Sequence, residues 1–288
     1  MLEEGLHIEE LPQLKDPLLI AAFHGWGNAL DVATSMVSYL IRKTDAVFFA
    51  RFRPDPYYRY DENRPVVIIE DGILKHLIPA GGFFFAARGE TVGRDLVILR
   101  AHEPQLRWEH FVHVLLSLCD RLGIRALVTL GGMFDNVLHT DQVISGIAST
   151  PELLEKMKER DILPINYQGP SAIHSTIHAE GKSRGLDCFS LWCHCPYYLQ
   201  GETHYGLLSR LGSVLSDLGG FRLDTAELDK KWKELTRQIQ ELVDQNPELQ
   251  DMISQLRKAK VRGSWETIKA AVGENNKVIR LDDFLKPR

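Results

Sequence analysis

The sequence is poor in cysteine, in clustered positive charge and in long apolar runs, and each shortage excludes a class of protein. Four cysteines among 288 residues are too few for the disulfide framework of a secreted protein, so we expect reduced thiols. The formal net charge of -5 and the lack of a Lys/Arg cluster argue against nucleic-acid binding. No apolar run approaches the roughly 20 residues of a membrane-spanning helix, so no membrane association is expected.

Complete catalytic and cofactor motifs are missing as well. The sequence contains neither the GxGxxG fingerprint nor the GxxxxGK[ST] phosphate loop of nucleotide-binding proteins. It also lacks the Gly-x-Ser-x-Gly elbow that exposes a nucleophilic serine. We therefore assign no catalytic residue, no metal and no cofactor from the sequence, and we lean toward a protein that is not an enzyme.

The composition is that of a folded protein. Hydrophobic residues make up 44% of the chain and charged residues 25%, which is close to the globular average. This length suits one large α/β domain with an appendage better than two ordinary domains, although both are open at this point. The opening stretch, MLEEGLHIEELPQLKD, is acidic where a signal peptide is basic and then apolar, so we expect a cytoplasmic protein.

Short apolar runs alternate with amphipathic helical patterns over residues 1–222, which we assign to an α/β core domain. The runs PLLIAAF (17–23) and ALVTLGG (126–132) are typical of buried strands that end in glycine turns. Four β-rich runs within residues 65–100 predict hairpins, so the sheet is expected to be mixed. A helix is predicted to open at Gly169-Pro170. The alternation predicts a sheet covered by helices on both faces.

From Asp224 onward the pattern changes to charged helices without strand signals, so residues 223–288 are assigned to a helical C-terminal extension. Its first apolar stripe stops at Asn246-Pro247, where proline breaks the helix, and a second stripe follows. A helical hairpin is therefore predicted. The stripe either packs on the parent core or binds another subunit, and the sequence leaves both arrangements open.

Two groups of side chains have metal-ligand chemistry without a complete ligand set. The segment 188–195 holds three cysteines and His194, but on a strand His194 points away from its neighbours. His174 and His178 lie four residues apart on a predicted helix, without the glutamate of a zinc protease between them. Buried structural cysteines and capping or surface histidines are the simpler interpretation.

Glycine, histidine and acidic residues collect where the predicted strands end, which is the edge at which α/β sheets gather ligands. A histidine beside an acid suits acid–base chemistry, and a glycine pair lets a ligand approach the backbone. Turn formation, helix capping and structural roles explain the same residues equally well. The candidate pocket comprises Gly25, Trp26, His102, Glu103, Gly131, Gly132, His139, Thr140, Gly169 and Pro170.

The strand-end motifs have a recognisable order and spacing over about residues 15–260. They are His24-Gly25-Trp26, Asp55-x-Tyr57, Glu103-Pro104, Leu130-Gly131-Gly132 with His139-Thr140, Tyr167-x-Gly169-Pro170, and Leu191-Trp192 with Pro196-Tyr197-Tyr198. Together they resemble the proteasome assembly chaperone 2 family, in particular its prokaryotic members. Family members tend to carry an acidic residue and an arginine where this chain has Asn28 and Asp141, so the resemblance does not imply anion binding by those loops.

The resemblance implies a three-layer α/β/α sandwich with a mixed central sheet, similar to the purine nucleoside phosphorylase and peptidyl-hydrolase type. It also implies self-association, so we expect a homo-oligomer, with a trimer among the forms left open. Eukaryotic relatives are chaperones that bind proteasome α subunits, whereas the prokaryotic members have, as a family, no established reaction.

Two hypotheses of different classes follow. The favoured one is a non-enzymatic binding or assembly-chaperone-like protein, which oligomerises and presents loops or its helical hairpin to a protein partner. The alternative is a small-molecule-binding protein, or a hydrolase- or phosphorylase-like enzyme, that takes a nucleoside- or nucleotide-like ligand in the strand-end pocket. Convergence of the strand-end loops around one cleft would favour the alternative.

Overall fold

A computed structural model of the chain describes residues 2–3 and 5–261 and confirms the predicted mixed α/β fold. The strands are β1 (Leu2–Glu3), β2 (Leu6–Ile8), β3 (Leu18–His24), β4 (Val47–Phe52), β5 (Val66–Glu70), β6 (Ile73–Ile78), β7 (Gly82–Ala87), β8 (Leu96–His102), β9 (Ala126–Asp135), β10 (Ile144–Ala148), β11 (Leu163–Pro164) and β12 (Asp187–Pro196). The helices are α1 (Val32–Lys43), α2 (Gly89–Val92), α3 (Trp108–Leu122), α4 (Pro151–Lys158), α5 (Ile173–Ser183), α6 (Tyr205–Gly219), α7 (Ala226–Gln245) and α8 (Pro247–Val261). None of the helices within these described ranges has the length and apolarity needed to cross a membrane.

Ten strands form one sheet in the order β1-β2-β4-β7-β8-β3-β9-β12-β10-β11. The central strands β8, β3, β9 and β12 run parallel to one another, and β7 and β10 flank them in antiparallel pairs. The mixed sheet predicted from the hairpin signals is therefore confirmed. Because the four central strands are parallel, their carboxyl ends meet at one edge of the sheet.

Helices pack on both faces of the central strands. In β3, Leu18 and Ile20 belong to a buried cluster that also contains side chains of α1 and α6. The alternate residues Leu19 and Ala21 belong to a second cluster with side chains of α3 and α5. A strand that is buried on both faces has a continuous apolar sequence, which is why the run at residues 17–23 predicts a strand.

Local signals account for several helix ends. The Thr150 hydroxyl accepts a hydrogen bond from the backbone N–H of Leu153 at 3.2 Å, and Pro151 occupies the first position of α4. Helix α3 ends at Gly123, whose φ of 68° lies in the left-handed region that glycine adopts without strain.

The start of α5 differs from the prediction, because the helix begins at Ile173 and not at Gly169-Pro170. The carboxylate of Glu103 accepts the backbone N–H of Ile173 at 2.8 Å and satisfies one of the free donors of the helix terminus. The Tyr167 hydroxyl holds the preceding loop by donating to the carbonyl of Pro170 at 2.8 Å. A side chain that is remote in sequence therefore defines this boundary.

The strands β5 and β6 form a separate two-stranded sheet. Two of the four predicted β-rich runs make this hairpin, and the other two enter the main sheet as the pair β7–β8. Every residue of β5 and β6 is exposed, although eight of the eleven are Val, Ile or Leu. We call residues 66–78 the apolar hairpin.

The helices α7 and α8 pack on the core of their own chain. A third cluster joins Ile239 of α7 and Ile253 of α8 to Leu138 and Leu199. The described part of the predicted extension is thus a helical hairpin bound in cis. The domain division at residue 222 stays a prediction, and residues 262–288 of the extension lie outside the described residues.

Truncation of Ile239, which is fully buried in this third cluster, tests the packing. Ile239→Ala is expected to lower the free energy of unfolding by about 2–5 kcal/mol, because it removes apolar contacts and leaves a cavity. The matched control is Lys233→Ala on the exposed side of the same helix, with an expected change within about 0.5 kcal/mol. Urea denaturation measures both, and equal effects would contradict packing of α7 on the core.

Candidate functional site

Loops from the central strands meet at the carboxyl edge of the sheet. β3 continues into Gly25-Trp26, β8 is followed by Glu103, and Gly131-Gly132 lie in the carboxyl half of β9. A bridge between Asn28 and Gly132 ties the turn after β3 to β9. Open α/β sheets bind their ligands outside this edge.

A cleft of about 580 Å³ opens there, a volume within the range of small-molecule pockets. Trp26, Trp192 and Tyr197 contribute aromatic surface, and Trp26 is 66% exposed. Among the described residues that line the cleft, Asp31 carries a charge and none is Lys, Arg or His. The lining is therefore aromatic and weakly acidic.

The indole of Trp192 forms one wall of the cleft by packing on glycine backbone. A Cβ atom on Gly131 would lie 2.6 Å from this indole, and a Cβ atom on Gly27 would lie 3.0 Å from it. Carbon atoms in contact are normally about 3.5–4.0 Å apart, so neither position has room for a side chain. These glycines are needed for close packing of the wall.

His174 supports this wall from behind. Its ring is tilted against Trp192, with ring centroids 4.9 Å apart. Since the carbonyl of Leu130 can only accept, the 2.9 Å hydrogen bond to it places the proton of His174 on Nε2. Burial lowers the pKa of His174 to about 4, and Nδ1 has no hydrogen-bond partner among the described residues. The ring is therefore neutral.

The residues before α1 line the same cleft, and they already cap the helix. Asn28 Oδ1 accepts the backbone N–H of Ala33 at 3.0 Å, and Asn28 Nδ2 donates to the carboxylate of Asp31 at 3.0 Å. A helix N-terminus binds anions through free N–H groups, but here a side-chain oxygen and a carboxylate occupy that position. The cleft is therefore better suited to neutral or cationic groups than to phosphate.

The predicted pair His102-Glu103 adjoins the cleft but does not line it. Glu103 caps α5 through its bond to Ile173, and its side chain lies against Gly25. The ring of His102 is edge-on to that of His24, with centroids 5.5 Å apart, and burial lowers the pKa of His102. The carboxylate of this pair thus has a helix-capping role.

His139 lies under the C-terminal helical hairpin. Its backbone N–H donates to the Tyr198 hydroxyl at 2.6 Å, and its ring meets Trp232 of α7 edge-on at a centroid distance of 6.1 Å. Burial lowers the pKa of His139 to about 4. His139 therefore connects the core to α7, whereas the adjacent Thr140 is exposed.

Three residues of the candidate pocket line the cleft, namely Gly25, Trp26 and Gly132. Gly131 lies behind the indole wall. Gly169 and Pro170 lie in an exposed loop outside the lining. The candidate pocket left out β12 and the turn before α1, although Trp192 and Tyr197 belong to the strand-end motifs. Lining residues outside the candidate pocket include Asp31, Phe134, Trp192, Tyr197 and Gln200.

The cysteines near the end of β12 are buried thiols. Burial raises the pKa of Cys188 and of Cys195 to about 12, and it raises the pKa of Cys193 well above the usual range. Thiols that resist ionisation are poor nucleophiles and poor metal ligands. Within residues 2–3 and 5–261, no group of three or more His, Cys, Asp or Glu side chains is placed to hold a metal ion.

Gly131→Ala tests the indole wall. It is expected to lower the free energy of unfolding by about 1–3 kcal/mol, because the new methyl group must displace Trp192. In a Trp192→Ala background the same substitution is expected to cost less than about 0.5 kcal/mol, since the obstacle is absent. Urea denaturation of the wild type, the two single variants and the double variant measures these costs as a double-mutant cycle. Equal costs in the two backgrounds would show that the indole does not restrict residue 131.

The buried His139 predicts acid destabilisation. Its pKa is about 4 in the folded chain against an ordinary 6.5, so between these pH values the unfolded chain binds a proton that the folded chain does not. The contribution of His139 to the free energy of unfolding is therefore fully present above pH 6.5. It is lost as the pH drops towards 4, by on the order of 3 kcal/mol. His139→Gln is expected to flatten this part of the stability–pH curve in chemical denaturation. A curve as steep as that of the wild type would contradict the assignment.

Comparison with known proteins gives one family. The model of the PAC2 family matches residues 19–243. The chain is similar to the crystal structure of a PAC2 family protein from Streptomyces avermitilis, with 31% identity over 83% of this chain and 100% of that chain and a TM-score of 0.71. No curated protein matches the sequence.

Two further solved structures are similar. A proteasome-assembly chaperone homologue from Mycobacterium tuberculosis has 26% identity over 82% of this chain and 99% of that chain, with a TM-score of 0.71. An archaeal proteasome activator from Pyrococcus furiosus shares the fold at 17% identity, over 82% of this chain and 97% of that chain, with a TM-score of 0.63. The family match confirms the resemblance seen in the strand-end motifs, and it shows that the chain belongs to the PAC2 family.

Proposed function

We propose that the chain acts by binding protein partners in an assembly-chaperone-like role, and that the apolar hairpin is its binding surface. The observation that carries this proposal is the exposure of eight Val, Ile and Leu side chains of the hairpin, each by 38% to 62%. Concentrated apolar exposure of this kind marks an interaction surface. Membership of the PAC2 family and similarity to a proteasome-assembly chaperone homologue support the role. Binding of this kind is non-enzymatic.

The apolar hairpin lacks the packing that normally stabilises a pair of strands. None of its residues belongs to the three buried clusters of the described chain. Val67 lies opposite Leu77 and Ile68 lies opposite His76, on alternate faces, so both faces carry apolar side chains. An isolated two-stranded hairpin is marginally stable in water. A partner that covers it gains about 25 cal/mol for each Å² of apolar surface removed from water.

The first partner that we propose is a second copy of the chain. Within the described part of the chain the hairpin has free strand edges, and such edges pair readily with other strands. Its two faces differ, because Lys75 shares a face with Leu77 while His76 lies on the opposite face. Contact between unlike faces of identical chains is heterologous, and where its rotation closes it forms a ring, for which a trimer is the simplest form.

Leu77→Asp tests the binding surface in solution. A charge without a partner is costly to bury in an interface, so the variant is expected to have the mass of one chain where the wild type has a multiple of it. Size-exclusion chromatography with multi-angle light scattering measures these masses. The matched control is Leu106→Asp, the same change at a half-exposed loop position outside the hairpin, which is expected to keep the wild-type mass.

A wild-type chain that is monomeric at every concentration would contradict self-association through the hairpin. Partner binding is measured with the same two variants and purified proteasome α subunits, the partners of eukaryotic relatives. By titration calorimetry, Leu77→Asp is expected to weaken binding at least about tenfold, a loss of about 1.4 kcal/mol, and Leu106→Asp is expected to leave it unchanged. A wild-type chain that does not bind α subunits would contradict the proposed partner but not the oligomer.

A further inference from the structure

Three polar side chains at the carboxyl edge of the sheet form a continuous hydrogen-bonded array. Asp135 Oδ2 lies 2.7 Å from His194 Nδ1, and His194 Nε2 lies 2.8 Å from Ser145 Oγ. The three residues come from β9, β12 and β10, which are adjacent in the sheet. The array is independent of the apolar hairpin.

The partners of the array determine where its protons lie. Because the carboxylate of Asp135 accepts, His194 Nδ1 carries the imidazole proton, and Nε2 has a free lone pair for the Ser145 hydroxyl. The other oxygen of Asp135 accepts the backbone N–H of Asn136 at 2.7 Å, which orients the carboxylate. A serine hydroxyl, a base to take its proton and an acid to orient that base are the parts that nucleophilic acyl transfer requires.

The array shares its surroundings with the aromatic cleft. Ser145 lies directly opposite Trp192 in the β10–β12 pair, and His194 lies opposite Met133 in the β9–β12 pair. Both Trp192 and Met133 line the cleft. Paired residues of neighbouring strands point to the same face of a sheet, so the array adjoins the cleft wall on that face.

The three side chains of the array differ in their exposure to solvent. Ser145 is 3% exposed, while the side chains of His194 and Asp135 are 13% and 26% exposed. The serine is thus sheltered from bulk water, and the imidazole is only partly exposed. The same strands β9 and β12 are also linked by the buried hydroxyls of Thr129 and Ser190, 2.7 Å apart. Hydroxyl groups alone therefore already link β9 to β12, without an imidazole or a carboxylate.

We propose that Ser145, His194 and Asp135 are an acyl-transfer site that hydrolyses esters. Ser145 Oγ attacks the carbonyl carbon while His194 Nε2 takes the hydroxyl proton, and the same proton then passes to the leaving alcohol as the ester bond breaks. Water hydrolyses the acyl-serine by the same route and regenerates the hydroxyl. Asp135 is a positioning residue that stabilises the imidazolium. The aromatic cleft, whose described lining has no Lys or Arg, selects acyl groups that are neutral or cationic and carry apolar or aromatic parts.

The first test is labelling of the full wild-type chain with a fluorophosphonate, which traps an activated serine, followed by peptide mass spectrometry. We expect one adduct, on Ser145. His194→Ala is expected to slow labelling at least about 100-fold, because the hydroxyl loses its base. The matched control is Ser117→Ala, which removes an exposed serine hydroxyl bonded to the His113 carbonyl at 2.9 Å and is expected to label at the wild-type rate.

Asp135→Asn distinguishes a positioning role of the carboxylate from a purely structural role. It is expected to slow labelling at least about 100-fold, because the imidazolium that forms loses its negative neighbour, and Asp135→Glu, which keeps the carboxylate, is expected to restore part of the rate. A merely structural carboxylate would change the melting temperature and leave the labelling rate unchanged.

Absence of an adduct on the wild-type chain, under conditions that label a serine hydrolase, overturns the proposal without recourse to any variant. An adduct on a serine other than Ser145 overturns it as well. With p-nitrophenyl benzoate as substrate, wild-type turnover at least about 100-fold above that of Ser145→Ala supports the site, and equal turnover overturns it.

Discussion

Parallel backbone hydrogen bonding between β3 and β9 holds the centre of the sheet together, and β8 and β12 extend it on either side. The helices, the cleft and the array are all placed by these four strands. Parallel strands of this kind need crossover connections, and those connections place helices on both faces of the sheet. With both faces covered, the central strands can present polar chemistry only at their ends. The aromatic cleft and the Asp135–His194–Ser145 array therefore lie at the same edge.

Close approach of backbone to side chain shapes that edge. Trp192 rests on Gly131 and Gly27, and the neutral ring of His174 supports it from behind. The Asn28 side chain and Asp31 occupy the start of α1, so the position at which many α/β proteins hold phosphate is filled by the protein itself. Neither family membership nor the chemistry of the cleft therefore supports a nucleotide-binding protein.

Apolar composition has opposite consequences in two parts of this chain. The apolar residues of β3, Leu18 to Phe23, are buried on both faces, whereas the equally apolar residues of β5 and β6 are exposed on both faces. Nothing in the residue types separates these cases, because burial depends on which elements pack above and below a strand. The runs within residues 65–100 predict strands, but they do not predict which of them join the main sheet and which form a free hairpin.

The amino-acid sequence is enough to predict the α/β class, the mixed sheet, the buried central strands, the hairpin break at Asn246-Pro247 and the family. These features depend on local periodicity, on glycine and proline, and on motif order. Three features appear only in the folded chain: α7 packs in cis, His139 lies beneath it, and Ser145 contacts His194. Residues 49 positions apart come together only through strand pairing, and no local pattern encodes which strands become neighbours.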